Sequence, residues 1–563
     1  MIDSKKPDRL LKEGFDLTEQ GKLDEAFEIL QRIERKDSSE FYAAAQLVIG
    51  NIFKQKGETG NTIKYYQNIN HNDSPETYAT AQLAIGSILK EEADIKEAII
   101  AFRNVKHEDS PESYAIAQLA IGVILKEEKD NIEEAIKIFN NLIIHNTSPE
   151  IYALAQFNLG EIFKQQNKIK EAIDCYQKSS THRYFISRIN IRILEIENKN
   201  IRNILFDTES VISNLINDLK ISPLFNDDEF KISHYTQASV AWEIIKKSSA
   251  FRLGLIKNVN DPMEGLTLHK FLQQSCSLPE NIFNYIKKND HLEYVFISCF
   301  TFNHDSLNQF RLYGKENNQE ASGVSIVFPS NFFNIYSKDY IDNNVDIKDN
   351  KNPRFRKEQN NKKDESNRHL LNKQPLHRCI YLDPDTGYIS LARRDKITFY
   401  RELYTDGKNI EEISEEADNK WNNYISSITN KEEKIKEHLK NISCKIKILS
   451  NIQGISEEEK RHIFETLHFI LLPLQYLVKH AAFQEEQECR MMYITSLDNK
   501  KIQLDWESKQ VYIEYEPKVN DYLDKIYLSP GALIYEDFFR HELDDPKNPK
   551  KRVRISSNPF RNK

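Results

Sequence analysis

The stretch YAAAQLVIG, residues 42–50, returns as YATAQLAIG at 78–86, YAIAQLAIG at 114–122 and YALAQFNLG at 152–160. The closing glycines, Gly50, Gly86, Gly122 and Gly160, lie 36, 36 and 38 residues apart, and a weaker copy puts Gly14 another 36 residues upstream. Self-similarity at such a period marks a solenoid of stacked units, each too small to bury its own apolar face. About a third of the 563 residues therefore reads as a helical repeat array.

Each unit opens with an alanine-rich helix (Ala43, Ala79, Ala115, Ala153) and continues into a second helix. The second helices carry Ala26, Ala98, Ala135 and Ala172, with Thr62 standing in the second unit. Four residues beyond come Leu30, Tyr66, Phe102, Phe139 and Tyr176, expected to fill the groove between neighbouring hairpins. The connections read Asp73-Ser-Pro-Glu, Asp109-Ser-Pro-Glu and Thr147-Ser-Pro-Glu. A serine caps, a proline presets φ, and an acid in the first turn suits the helix dipole.

These residues resemble the tetratricopeptide repeat over five units, residues 8–180, without the early Trp and with two extra residues per unit. The resemblance implies an all-α solenoid whose concave groove binds a protein partner; a rigid spacer is the plainer alternative. No lysine and asparagine pattern of a carboxylate clamp stands out. Past Gln177 the period is lost. Ile186, Ile189, Ile193 and Ile196, then Ile204, Val211, Ile212 and Leu215, keep helical spacing. They predict a capping pair and linker over 181–222, with ISPLFNDD at 221–228 as connecting chain.

Composition limits the rest. The length predicts two or three domains, and 39% hydrophobic with 29% charged residues is ordinary for globular protein. A net charge of −8 gives no case for nucleic acid or an anionic membrane as partner. The six cysteines, Cys175, Cys276, Cys299, Cys379, Cys444 and Cys489, form no CxxC pair and predict neither a disulfide framework nor a metal site. The N-terminus leads into no apolar run, and the apolar segment 469–478 is short and contains Pro473. A cytoplasmic protein is expected, with a secreted effector delivered to a host cytosol as the lesser alternative. Abundant Ile, Asn and Lys is associated with AT-rich bacterial genomes.

Over residues 228–550 the pattern changes. Extended runs appear at 230–235, 251–255, 294–300, 323–328, 379–382, 489–494 and 511–515, with helical stretches between them. Strands and helices without regular alternation predict an α+β domain. A helical, charged insertion is expected at about 340–466; its part 347–375 reads as a solvated excursion.

Four landmarks punctuate this domain: Ser233-His234-Tyr235-Thr236; Asn258-Val-Asn260-Asp261-Pro262-Met-Glu264; Phe296-Ile-Ser298-Cys299-Phe300, leading to Phe310-Arg311-Leu-Tyr313-Gly314; and Phe483-Gln-Glu-Glu486-Gln-Glu488-Cys-Arg490. In this order they resemble the bacterial domain of unknown function 2971, with Phe310 where a Trp is usual. The layout is similar to the ADP-ribosyltransferase arrangement. That likeness implies NAD as substrate and no metal. Cleaving the nicotinamide–ribose bond passes through an oxocarbenium-like state, which a nearby carboxylate stabilises. On that mapping Glu488 is the catalytic carboxylate, and Glu486 positions the acceptor from the same face of an extended segment. His234 anchors NAD, Ser298 supports Glu488, and Tyr235 and Tyr313 offer stacking faces. Thr236 and Asn260 complete the expected cofactor-binding set.

Plainer readings stand beside each of these. His234 can be an ordinary half-buried histidine, Asn260-Asp261-Pro262 a tight turn, and Glu486, Glu488 and Arg490 a surface ion-pair ladder. Cys299 has no base beside it and is not expected to be a nucleophile. The rival to the transferase is a non-enzymatic repeat scaffold; transfer to nucleic acid has thin support from the basic stretch 354–363. Distance separates the readings: an enzyme requires His234, Ser298 and Glu488 on one cavity.

Overall fold

A computed structural model describes residues 7–19, 22–128, 131–144, 148–221, 231–258, 264–276, 293–315, 319–333, 370–403, 409–544 and 552–559. The chain forms two compact units that meet in sequence between Arg183 and Tyr184.

In the N-terminal unit the helices are α1 (Pro7–Glu19), α2 (Leu23–Leu30), α3 (Ser39–Gln55), α4 (Thr59–Gln67), α5 (Pro75–Glu91), α6 (Ile95–Arg103), α7 (Pro111–Glu127), α8 (Ile132–Ile144), α9 (Pro149–Gln165) and α10 (Ile169–Ser179). They pair in chain order into helical hairpins. The first helices start as the sequence dictates: the hydroxyls of Ser74, Ser110 and Ser148 accept from the amides of Thr77, Ser113 and Ile151, with proline at the first helical position. Ala26, Thr62, Ala98, Ala135 and Ala172 are fully buried.

The large side chain of each second helix rests on the glycine of its own hairpin, and Leu30, Tyr66 and Phe102 also share core clusters with residues of the following hairpin. A methyl group added at Gly86 would sit 2.7 Å from the Phe102 ring, and one at Gly122 would sit 2.7 Å from Phe139. Such contacts are closer than any side chain tolerates, so the period of glycines records where two helix backbones must approach.

In the C-terminal unit the helices are α11 (Tyr184–Leu194), α12 (Lys199–Leu219), α13 (Ala238–Lys246), α14 (Thr267–Cys276), α15 (Leu307–Tyr313), α16 (Lys396–Leu403), α17 (Ile410–Ser450), α18 (Glu457–Gln475), α19 (Val519–Tyr522) and α20 (Glu536–Leu543). The strands are β1 (Lys231–Gln237), β2 (Phe251–Leu255), β3 (Glu293–Thr301), β4 (Gly323–Pro329), β5 (Leu376–Arg378), β6 (Ile380–Leu382), β7 (Ile389–Leu391), β8 (Val478–His480), β9 (Glu488–Ser496), β10 (Ile502–Asp505), β11 (Gln510–Tyr515), β12 (Lys525–Leu528) and β13 (Val553–Ile555). The unit is thus α+β, following an all-α repeat unit. The main sheet runs β10-β11-β2-β3-β1-β4-β12-β13, with β9 along the other edge of β3 and β5 on β9; a second sheet is β7-β6-β8.

Side-chain alternation along β3 and β9 feeds two cores. Val295, Ile297, Met492 and Ile494 join a cluster built with α11, α12, α17 and α18. Phe296, Phe300, Met491 and Tyr493 join the cluster of the opposite face.

Two expectations are corrected here. The pair expected to cap the array, α11 and α12, contributes Phe185, Ile189, Leu205, Ile212 and Leu215 to the core of the C-terminal unit. Likewise α17, 41 residues long and within the stretch expected as a helical, charged insertion, is not solvated all round. Its stripe Ile413, Ala417, Tyr424, Ile428, Ile435, Leu439, Ile442, Ile446 and Leu449 is buried. The excursion expected at 347–375 lies outside the described residues up to 369.

The glycine contacts give a paired test. Gly86→Val should destabilise the array by ~1–3 kcal/mol through overpacking. Gly60→Ala, in α4 with nothing within 4 Å of the added methyl, should be neutral or stabilising by up to ~1 kcal/mol. Thermal unfolding followed by far-ultraviolet circular dichroism reads both, and equal melting shifts would refute the packing argument.

Candidate functional site

The site begins where β3 changes partners. On one edge β3 pairs with β9 along its whole length, from Glu293↔Ser496 to Thr301↔Glu488. On the other edge it meets β2 at Phe296 and Ile297, but meets β1 only through Ser233↔Thr301. β1 instead runs fully against β4. The strands β1 and β3 therefore part between Ile297 and Thr301, and a small cavity of about 70 Å³ opens there, lined by Ser233, His234, Tyr235, Cys299, Phe300, Thr301, Gln309, Tyr313, Glu486 and Glu488.

The two carboxylates arrive by an unexpected backbone route. Residues 481–486 form a 3-10 turn, and Gln487 closes it at φ 47° before β9 starts at Glu488. Glu486, Glu488 and Arg490 are thus no extended ladder, and they are not on the surface. Lys479, from β8, joins the acids instead: its Nζ lies 2.5 Å from Glu486 Oε2 and 2.6 Å from Glu488 Oε2. Arg490, fully buried, donates from Nε to Glu488 Oε1 at 2.7 Å. Its Nη1 and Nη2 fork onto Glu264 at 2.5 and 2.9 Å, and Nη1 also reaches the Tyr476 carbonyl at 2.6 Å. Three carboxyl groups and two cations share this buried network.

The electrostatics separate the two acids of the cavity. Burial opposes the charge on Glu488, but Arg490 and Lys479 outweigh it, holding the carboxyl well below its ordinary range. On Glu486 burial wins, aided by repulsion from Glu488, and the carboxyl is pushed up. Lys479 is also pushed up, because the two acids outweigh its burial. The Cys299 thiol donates to Glu488. Burial and that same acid raise its pKa well above the usual thiol value, so it stays protonated.

His234 places Nδ1 2.9 Å from the Cys299 carbonyl, and its ring packs against Phe251 and Phe300. Burial lowers its pKa. A neutral ring facing a carbonyl carries its proton on Nδ1, which leaves Nε2 as an acceptor. Tyr235 lines the cavity, but its hydroxyl is engaged: it donates to the Asn303 carbonyl at 2.7 Å and accepts from the Ser306 amide at 2.9 Å. Tyr313, 38% exposed, has its hydroxyl 3.5 Å from Glu486 Oε1. The Gly314–Gly323 contact sets that ring's place. A methyl at Gly314 would lie 2.7 Å from the Gly323 backbone.

Of the residues singled out in the sequence, His234, Tyr235, Tyr313, Glu486 and Glu488 come together. Ser298 does not line the cavity: it alternates with Cys299 and pairs with Met491, so the thiol, not the hydroxyl, meets Glu488. Thr236 pairs with Val324 on β4 and also stands outside the lining. Asn260 lies outside the described residues. Lys479 and Gln309 were not anticipated, and Glu264, quoted as the end of a landmark, was given no role. Lys479 sits in a short VKH strand with no motif around it, and nothing in its sequence neighbourhood announces an ion pair.

Residues 153–181, covering α9 and α10, match the family model of the tetratricopeptide repeat. Repeats of this kind generally mediate protein–protein interaction. No curated protein matches the chain. Among the described residues, no helix is long and apolar enough to cross a membrane, and no group of three or more His, Cys, Asp or Glu is placed to hold a metal ion.

Two measurements probe this network. Arg490→Ala leaves Glu264 and Glu488 buried against each other and should lower stability by ~3–5 kcal/mol in urea titration. Arg490→Lys should recover little of it, because an ammonium cannot reproduce the fork onto Glu264; full recovery would show that charge alone matters. The second concerns pH. Burial lowers His269 and His304 to about 4 and His377 to about 3. Their folded values lie below the unfolded value near 6.5, so their stability is complete above it and is lost as pH falls from there toward the folded values. Each adds a slope approaching ~1.4 kcal/mol per pH unit. The urea midpoint should fall steadily from pH 6.5 to pH 5, and a flat profile would contradict the burial.

Proposed function

We propose that the C-terminal unit is an NAD-dependent ADP-ribosyltransferase and that the repeat array recruits its protein target. The observation that carries this reading is the shared cavity: His234, Tyr313, Glu486 and Glu488, from well-separated parts of the sequence, line one opening. In this reading the bond between ribose C1′ and the nicotinamide nitrogen breaks, and its electron pair leaves with nicotinamide. The acceptor atom bonds C1′ from the other side and releases a proton. Glu488, held ionised by Arg490 and Lys479, stabilises the positive charge growing at C1′. Glu486, whose carboxyl is pushed up, takes the acceptor's proton. Nε2 of His234 accepts from a ribose hydroxyl, and the half-exposed Tyr313 ring stacks on the nicotinamide.

One observation favours a second reading, the non-enzymatic scaffold. Both oxygens of Glu488 are already bonded to Arg490 and Lys479, as in a purely structural ion network.

Labelled NAD incubated with the protein and a cell lysate distinguishes the two. The transferase reading expects label on a protein band, a loss of ~100–1,000-fold in Glu488→Gln, and a lesser loss in Tyr313→Ala, which touches no member of the ion network but Glu486. Free nicotinamide without labelled protein would mean NAD hydrolysis. No binding and no turnover by folded protein would leave the scaffold.

A further inference from the structure

We infer that Asp305 is a positioning residue for this site, and that the segment 552–558 is a strap that holds it. The strap joins the sheet as β13, which runs parallel to β12 with Ile526↔Val553 through Leu528↔Ile555. The Ser556 amide then donates to the Leu528 carbonyl at 2.8 Å, which ends the ladder and aims the next side chains away from the sheet edge. Those side chains converge on one carboxylate. Ser556 Oγ donates to Asp305 Oδ1 at 2.6 Å, and Asn558 Nδ2 donates to the same oxygen at 2.7 Å. The Ser557 amide donates to Oδ2 at 3.3 Å, and Arg401 stands 4.0 Å away. The Asp305 side chain is 6% exposed. A carboxylate so enclosed keeps its loop in one conformation.

That loop is the floor of the turn that presents Glu486. Thr301 Oγ1 donates to the Glu486 carbonyl at 2.7 Å, and Gln309 Nε2 donates to the same carbonyl at 3.2 Å. Asn303 Nδ2 reaches the Glu485 carbonyl at 3.3 Å, and the Phe302 amide reaches the Gln487 carbonyl at 3.3 Å. Tyr235 ties the middle of the loop through Asn303 and Ser306. From strap to cavity the path is therefore short: 556–558 to Asp305, Asp305 to residues 301–309, and these to 484–487. The 3-10 turn and the left-handed Gln487 also hold an internal bond, from the Gln487 amide to the Gln484 carbonyl, and one from the Arg393 amide to Gln487 Oε1 at 2.6 Å, but the carbonyls of 485–487 are met by this loop.

The strap and its mechanical effect stand on these contacts alone; the effect on catalysis rests on the transferase reading. Amide hydrogen exchange on the full chain tests the first without any substrate. Asp305→Ala, and separately Ser556→Ala with Asn558→Ala, should speed exchange by about tenfold both in 301–309 and in 481–487, while 490–496 of β9 stays as in the wild type. If 301–309 loosens and 481–487 stays protected, the proposal is overturned. Should Asp305→Ala fail to fold, the double variant, which keeps the carboxylate, decides alone. For catalysis, the same variants should lower kcat about tenfold with KM within about twofold, because NAD binding uses His234 and Tyr313 while Glu486 acts on the acceptor. Unchanged kcat in a wild type that turns over NAD would overturn the positioning role. A wild type with no turnover would speak against the transferase and leave the exchange result to decide the strap.

Discussion

A guanidinium with no water around it must find protein acceptors for its donors, and Arg490 is fully buried. It meets that demand with Glu488 on its own strand, with Glu264 ahead of α14, and with the carbonyl of Tyr476 at the end of α18. Each acceptor is itself buried and would be costly alone, so the group is stable only when complete. Lys479 extends it to Glu486. Glu264 and the stretch 476–490 are thereby held to one another, and the splay of β1 from β3 opens beside them. Glu486 and Glu488 are where this network meets the cavity.

The repeat array rests on a different constraint, the close approach of two helix backbones at Gly86 and Gly122. That constraint is written once per unit, which is why it could be read: repetition separates a requirement from an accident. The serine–proline caps were equally legible, because a cap is decided by three adjacent residues. The seat of Phe102 was not legible. Spacing shows that a large side chain faces a small one, but not whether the partner lies in the same hairpin or the next.

In the C-terminal unit the extended runs read at 230–235, 251–255, 294–300, 323–328 and 489–494 fall on strands, and five residues of the cavity were visible too. The losses have particular causes. Ser298 and Cys299 differ by one residue, and alternation turns a one-residue error into the opposite face. Gln487 at φ 47° breaks the extended geometry assumed for Glu486 and Glu488, and a glutamine gives no warning of a left-handed turn. The helix α17 looked like an insertion because its composition is charged, yet nine of its positions are buried at helical spacing. Composition described its solvent face and hid its core face. Lys479 could not have been found at all, since its role depends on a partner strand and not on its neighbours.

The two acids of the cavity illustrate how one cation can serve two states. Glu488 is bonded at both oxygens and is held ionised, so it cannot act as a base near neutral pH; its contribution is a fixed negative charge. Glu486 has one oxygen on Lys479 and the other toward Tyr313, and its raised pKa lets it carry a proton. A ligand hydroxyl that approached Glu488 would compete with Lys479 for Oε2. Because Lys479 bridges both acids, it can yield that bond and keep the one to Glu486, so neither its charge nor that of Glu488 is stranded. An ion pair with a single partner on each side would have no such freedom. In the transferase reading the bridging lysine would let a network that looks closed admit a ligand, and in the scaffold reading it would stay shut; this is the physical point on which the two part.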